Sequence, residues 1–183
     1  MLFLTALGLF TFGQTTYIDY EDVSVNFLGW GGSTFAVEIN PDASGINTSD
    51  NVGEIVKGGT LTDWPGIYSD PLGGTFDFST SATFTLKVYS DNAGPFILKL
   101  EKADDGAVAV EATVDYTTPG EWEELTFDLS AGTTETYGKI VMIPETNIEG
   151  SGGHIWYFDD LVGPDFIPGA DVDVTFPLTD LDN

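Results

Sequence analysis

Cysteine is absent from the 183 residues, so the chain has neither disulfides nor thiolate metal ligands. Arginine is absent as well, and the only basic side chains are Lys57, Lys87, Lys99, Lys102 and Lys139. Against these five stand 30 Asp and Glu, for a formal net charge of -25. Such a surface repels nucleic acid and anionic membranes, which sets both aside as partners, and it disfavours polyanionic glycans. Neutral ligands and divalent cations remain. A solubility role in salty water, where screening weakens self-repulsion, is the plainer account of the same charge. There is one histidine, His154, and no Gly-x-Ser-x-Gly segment, so a nucleophilic triad has no support. No segment carries a sustained helical stripe.

What is present points to strands. Hydrophobic residues make up 42% of the chain, and the periodic segments are built from Val, Ile, Thr, Phe and Tyr. Phe84, Leu86 and Val88 alternate with Thr83, Thr85, Lys87 and Tyr89, the pattern of a half-buried strand. Val108, Val110, Ala112 and Val114 repeat it, as do Leu125, Phe127 and Leu129. Asp104-Asp105-Gly106 reads as a hairpin turn between two such runs. Strands are expected over 17–27, 33–39, 51–57, 64–69, 82–90, 95–102, 107–116, 122–129, 137–143 and 154–162. About ten short strands with regular turns predict an all-β, two-sheet antiparallel sandwich.

The apolar run 1–13 has the length of a signal peptide and is too short to span a bilayer, which predicts export to the cell surface or beyond. It lacks the usual basic start. Residues 14–163 are expected to form the sandwich. Residues 164–183, rich in Pro and Asp, read as an acidic linker or the start of a further module.

Several phrases in a fixed order carry a family resemblance. Ile18-Asp19-Tyr20-Glu21 opens the series, followed by the loop from Asn40 to Ser49 and by Val52-Gly53-Glu54-Ile55. Asp77-Phe78-Ser79, Trp122-Glu123-Glu124-Leu125 and Trp156-Tyr157-Phe158-Asp159-Asp160-Leu161 complete it. Over residues 17 to 163 the chain resembles the carbohydrate-binding-module-like jelly rolls, galactose-binding-like in fold, of exported marine Bacteroidetes proteins. The resemblance implies a non-catalytic module that binds a polysaccharide and carries a structural calcium ion. A neutral polysaccharide, a β-glucan such as laminarin, suits the charge.

Calcium takes about six to eight oxygen ligands. Asp160 is the first candidate, followed by Glu21 and Asp19, two apart on one strand face, and by Asn40 in the turn-rich loop. A bound ion would also replace the disulfides that an exported domain commonly uses. Sugars present flat C–H faces, so aromatic plates mark candidate platforms. Trp64 and Tyr68 are expected on one strand face, about 13 Å apart at about 3.3 Å per residue. Trp30 lies among glycines and is expected to be exposed; His154 and Trp156 are further ligand candidates, with Tyr89 and Tyr137 behind them. Trp122, beside Leu125 and Phe127, reads as packing.

Two other classes stay open. One is an adhesive or spacing sandwich without sugar binding, as a monomer or as part of a longer multidomain chain. The other is a small glycan-active enzyme, for which Glu121, Glu123 and Glu124 are the tempting carboxylates. Adjacent Glu123 and Glu124 point to opposite faces of a strand, which speaks against their acting as a pair.

Overall fold

The computed structural model describes residues 14–59 and 64–169. The signal-like run 1–13 and residues 170–183 lie outside the described residues.

Alternating apolar residues build two antiparallel sheets. The first has the order β10 (Glu123–Asp128), β7 (Thr83–Ser90), β12 (Ile155–Gly163), β4 (Asn51–Val56) and β3 (Thr34–Ile39). Short β1 (Thr15–Ile18) pairs with the far half of β12. The second sheet runs β2 (Phe27–Trp30), β5 (Gly66–Ser69), β11 (Lys139–Pro144), β8 (Gly94–Glu101) and β9 (Ala109–Tyr116). A small ribbon joins β6 (Gly74–Phe76) to β13 (Phe166–Pro168). Among the described residues a short 3-10 turn, Ser130–Gly132, alone interrupts the β pattern, and none of their helices is long and apolar enough to cross a membrane.

The core lies between the sheets, where the alternation places Phe84, Leu86, Val88, Leu125, Phe127 and Phe158 opposite Ile67, Phe96, Leu98, Leu100, Ile140 and Met142. Each buried side chain of this size stabilises the fold by about 1.5–3 kcal/mol. Nearly all the expected strands form within a residue or two of their expected ends. Three differences have physical causes. The expected strand 17–27 breaks after Ile18, because Asp19 Oδ1 accepts the backbone N–H groups of Glu21, Asp22 and Val23 and folds the chain into a turn. The strand expected from Trp64 starts at Gly66, since Trp64 has a φ of 43° and cannot continue the ladder. The sandwich also runs past Gly163: β13 pairs back onto β6, and Tyr17 donates its hydroxyl hydrogen to the carbonyl of Pro164.

Tyr116 closes one end of the sandwich. Its buried hydroxyl accepts from Ser90 N at 3.2 Å and sits 2.6–2.9 Å from the carbonyls of Ser90, Thr118 and Glu121. Removing that hydroxyl takes a partner from Ser90 N and Glu121 O, while the Ser90 and Thr118 carbonyls keep their backbone donors. Tyr116→Phe is therefore expected to cost about 1–3 kcal/mol, read as a lower midpoint in chemical or thermal unfolding.

Candidate functional site

The outer face of the second sheet is apolar where a solvated sheet would be polar. Ile97, Val141 and Ile143 point away from the core yet are buried, because Trp30 and Tyr68 pack over them. Trp30 ends β2 beside the tight Gly31-Gly32 turn, and its ring centroid lies 6.1 Å from that of Tyr68. Together with Trp64, which is 48% exposed, these residues line a groove of about 620 Å³.

The groove's polar edge is a short charge relay. Lys139 pairs with Glu101 across β11 and β8, and Lys99 lies two residues before Glu101 on the same face. Lys99 Nζ stands 2.9 Å and Lys139 Nζ 3.7 Å from the Glu101 carboxylate, and Lys139 also sits 5.3 Å from the centre of the Tyr68 ring. Two of the chain's five lysines thus meet in this one groove.

A buried network holds the Trp64 corner in place. Lys57 is buried and donates to the carbonyl of Pro65 at 3.0 Å. Burial lowers its pKa and nearby Glu145 opposes that shift. Glu145, itself buried, accepts from Trp156 Nε1 at 3.0 Å and from His154 Nδ1 at 2.9 Å.

The candidate ligand residues therefore divide. Trp30, Trp64 and Tyr68 come together. Trp156 does not: it is fully buried between Phe96 and Tyr116, with its N–H committed to Glu145, so it is a core residue. His154 lies away from the groove, held against Glu145, and Tyr137 is buried. Trp122 packs as expected, donating to Asp42 O at 2.9 Å and Asn40 Oδ1 at 3.2 Å. Lys99, Glu101 and Lys139 were missed; the available signal was the scarcity of lysine and its outward position in two otherwise apolar strands.

The expected metal ligands are not gathered. Asp160 pairs with Lys87, Asp19 caps its own turn, and Glu21 accepts from Asn51 N at 2.8 Å. Asn40 is committed to Trp122, Asp42 N and Ser49 O. Among the described residues no cluster of three or more His, Asp or Glu stands ready for a metal. The unexpected residue is Asp159. It is fully buried with neither carboxylate oxygen in a hydrogen bond, although Ser49 and Asn47 lie near enough to favour its charge. The Asn47 amide nitrogen and the Tyr20 hydroxyl are likewise unpaired. Burial pushes the Asp159 carboxyl up to about 6.

No family model matches the chain, and no curated protein matches it. Solved structures do. The family 11 carbohydrate-binding module of the cellulosomal cellulase Lic26A-Cel5E of Clostridium thermocellum superposes with a TM-score of 0.55 at 16% identity, over 86% of this chain and 95% of that one. A family 29 carbohydrate-binding module, solved with cellohexaose, gives 0.54 at 13% identity, over 88% and 97%. An exo-β-agarase gives 0.58 at 14% identity over 85% of this chain, but only 25% of the agarase is matched. The chain has the jelly-roll sandwich fold of these modules.

An acid whose folded pKa is raised binds its proton more tightly in the folded than in the unfolded state, so its contribution to stability falls as pH rises through that interval. In chelator, the Asp159 contribution is expected to decline between about pH 4 and about pH 6. Asp159→Asn should remove that part of the pH dependence and raise the metal-free melting temperature at pH 7, as read by thermal unfolding at stepped pH.

Proposed function

We propose that this domain is a non-catalytic carbohydrate-binding module that holds a neutral polysaccharide, a β-glucan such as laminarin, in the groove of the five-stranded sheet. The observation that carries the reading is the convergence of Trp30, Trp64 and Tyr68 over an apolar floor. Their rings offer faces for the C–H planes of successive sugars, and Glu101 with Lys99 and Lys139 can accept from and donate to hydroxyls at the edge. Two ammonium groups against one carboxylate leave the edge a single net positive charge, and both ammonium groups are engaged by Glu101, so the edge is no array for a polyanion and hydroxyls of an uncharged chain fit it. Glu101 is the one carboxylate among the described groove residues, whereas glycoside hydrolysis uses a pair; this favours binding over catalysis. The likeness to modules solved with a mixed-linked tetrasaccharide and with cellohexaose supports the same class of ligand. Export to the extracellular side, where polysaccharides are met, belongs to this reading.

A structural calcium is part of the proposal, with a changed ligand set. Asp159 would supply the carboxylate, and the 40–49 loop with Asn47 and Ser49 would supply further oxygens. A buried carboxylate with no positive partner, whose neighbours are Ser49, Asn47 and the Asp160 N–H, is the feature that fits a cation. The ion would pin the loop to β12 and take no part in sugar chemistry. Calcium should raise the melting temperature of the wild type and leave Asp159→Asn unchanged. Equal melting curves in calcium and chelator would remove the ion from the account.

Trp64→Ala and Tyr68→Ala should each weaken binding of a neutral β-glucan about tenfold or more, a loss of about 1.4 kcal/mol, in isothermal titration. The melting temperature should barely move in Trp64→Ala, whereas Tyr68→Ala should lower it modestly by uncovering Val141 and Ile143, with the domain still folded. Trp156→Ala should instead cost about 3–5 kcal/mol of stability. Unfolding by the first two substitutions would make them core residues and end the groove reading.

A further inference from the structure

The opposite sheet has a pocket of its own. It has a volume of about 270 Å³ and opens where β7 and β12 run side by side, beyond the reach of the groove residues. Tyr89 and Tyr157 are direct cross-strand partners, so both rings stand on the outer face, 6.0 Å apart and inclined at 61°. Asp91 and Asn92 line the wall beside Tyr89, and His154 closes the far side.

These groups are held before any ligand arrives. Tyr89 is braced from behind by Trp122, at 5.6 Å between ring centres. The turn carrying Asp91 and Asn92 is fixed by Asn92 N donating to Ser90 Oγ, which in turn donates to Ile155 O. The buried Glu145 carboxylate occupies His154 Nδ1, which leaves the other ring nitrogen, Nε2, for a ligand. Ring orientation is thereby set from inside the fold. Rigid aromatic walls with a few fixed polar groups bind at low ordering cost.

Charge selects the ligand. No lysine lines this pocket; Asp91 is its one formal charge apart from the imidazole. An anion is repelled there, whereas an uncharged polyol can stack its C–H face on a tyrosine while Asp91, Asn92 and His154 reach its hydroxyls. The volume suits one sugar residue rather than a run of several.

We propose that the Tyr89–Tyr157 pocket is a second glycan site, taking a single uncharged sugar residue on the sheet opposite the groove. The domain is then bivalent. With sites on opposite faces it can bridge two chains of a polymer or gain avidity from one that loops around it. The inference shares with the proposed function the reading of the domain as a glycan binder, but it does not depend on the groove.

His154 is the chain's only histidine, so its ring signals report this pocket alone, and the Trp64 and Trp30 indole signals report the groove. Wild type and the double variant Trp64→Ala/Tyr68→Ala are titrated by NMR with cellohexaose, laminarihexaose and a mixed-linked glucan tetrasaccharide. The expected result is a saturating shift of the His154 signals in both proteins with at least one sugar. That shift should weaken about tenfold in Tyr157→Ala and in the milder Asn92→Ala, each checked for an unchanged fold. A His154 signal that stays still while the indoles move overturns the second site and leaves the groove standing. A His154 shift that disappears in the groove double variant also overturns it, since the change was then transmitted through the fold. Silence from every signal overturns both sites.

Discussion

The structure depends on a central strand that is apolar on both of its faces. In β11, Ile140 and Met142 enter the core between the sheets while Val141 and Ile143 emerge on the other side. An outward apolar pair in the middle of a sheet has to be covered, and in this chain Trp30 and Tyr68 supply the cover. The cover is partial, and the uncovered remainder is the groove. The interaction that stabilises the sheet therefore also produces the surface best suited to a sugar.

A second constraint links that surface to the interior. Glu145, at a left-handed backbone position, is buried against Trp156, His154 and the field of Lys57. Lys57 passes the constraint to Pro65 and so to the turn that exposes Trp64. Buried charges of this kind are costly unless paired and hydrogen-bonded, and here each has partners. A domain without disulfides thus holds an exposed tryptophan in place from behind, through the buried Glu145 and Lys57.

The fold was legible in the sequence because half-buried strands write their burial as alternation. Phe84-Leu86-Val88 and Leu125-Phe127 read correctly for that reason. The turn after Ile18 was not legible, since the competing partner for the backbone was the side chain of Asp19 and not a pattern of hydrophobicity. Short β6 and β13 escaped notice because three residues carry no period. Of the five candidate sugar contacts, Trp30 and Trp64 sit beside glycine and proline at strand ends and Tyr68 faces outward by the alternation of β5, whereas Trp156 obeys the alternation of β12 and turns inward. At Asp159-Asp160 the register of β12 shifts and Asp160 takes a positive φ. Which of two adjacent aspartates is buried rests on that bulge, so the sequence pointed to the pair without telling which member turns inward.

In the proposed function, sugar lies on the exposed aromatic face of the five-stranded sheet. The four tryptophans provide a direct measurement, because Trp30 and Trp64 line the groove while Trp122 and Trp156 are buried. Acrylamide quenching of tryptophan fluorescence, with and without a saturating neutral β-glucan, separates the two pairs. Protection of the quenchable part of the emission is the predicted result, reduced in Trp64→Ala to the share that Trp30 contributes. Quenching that is identical with and without a glycan shown to be bound would contradict the account and place the sugar elsewhere on the molecule.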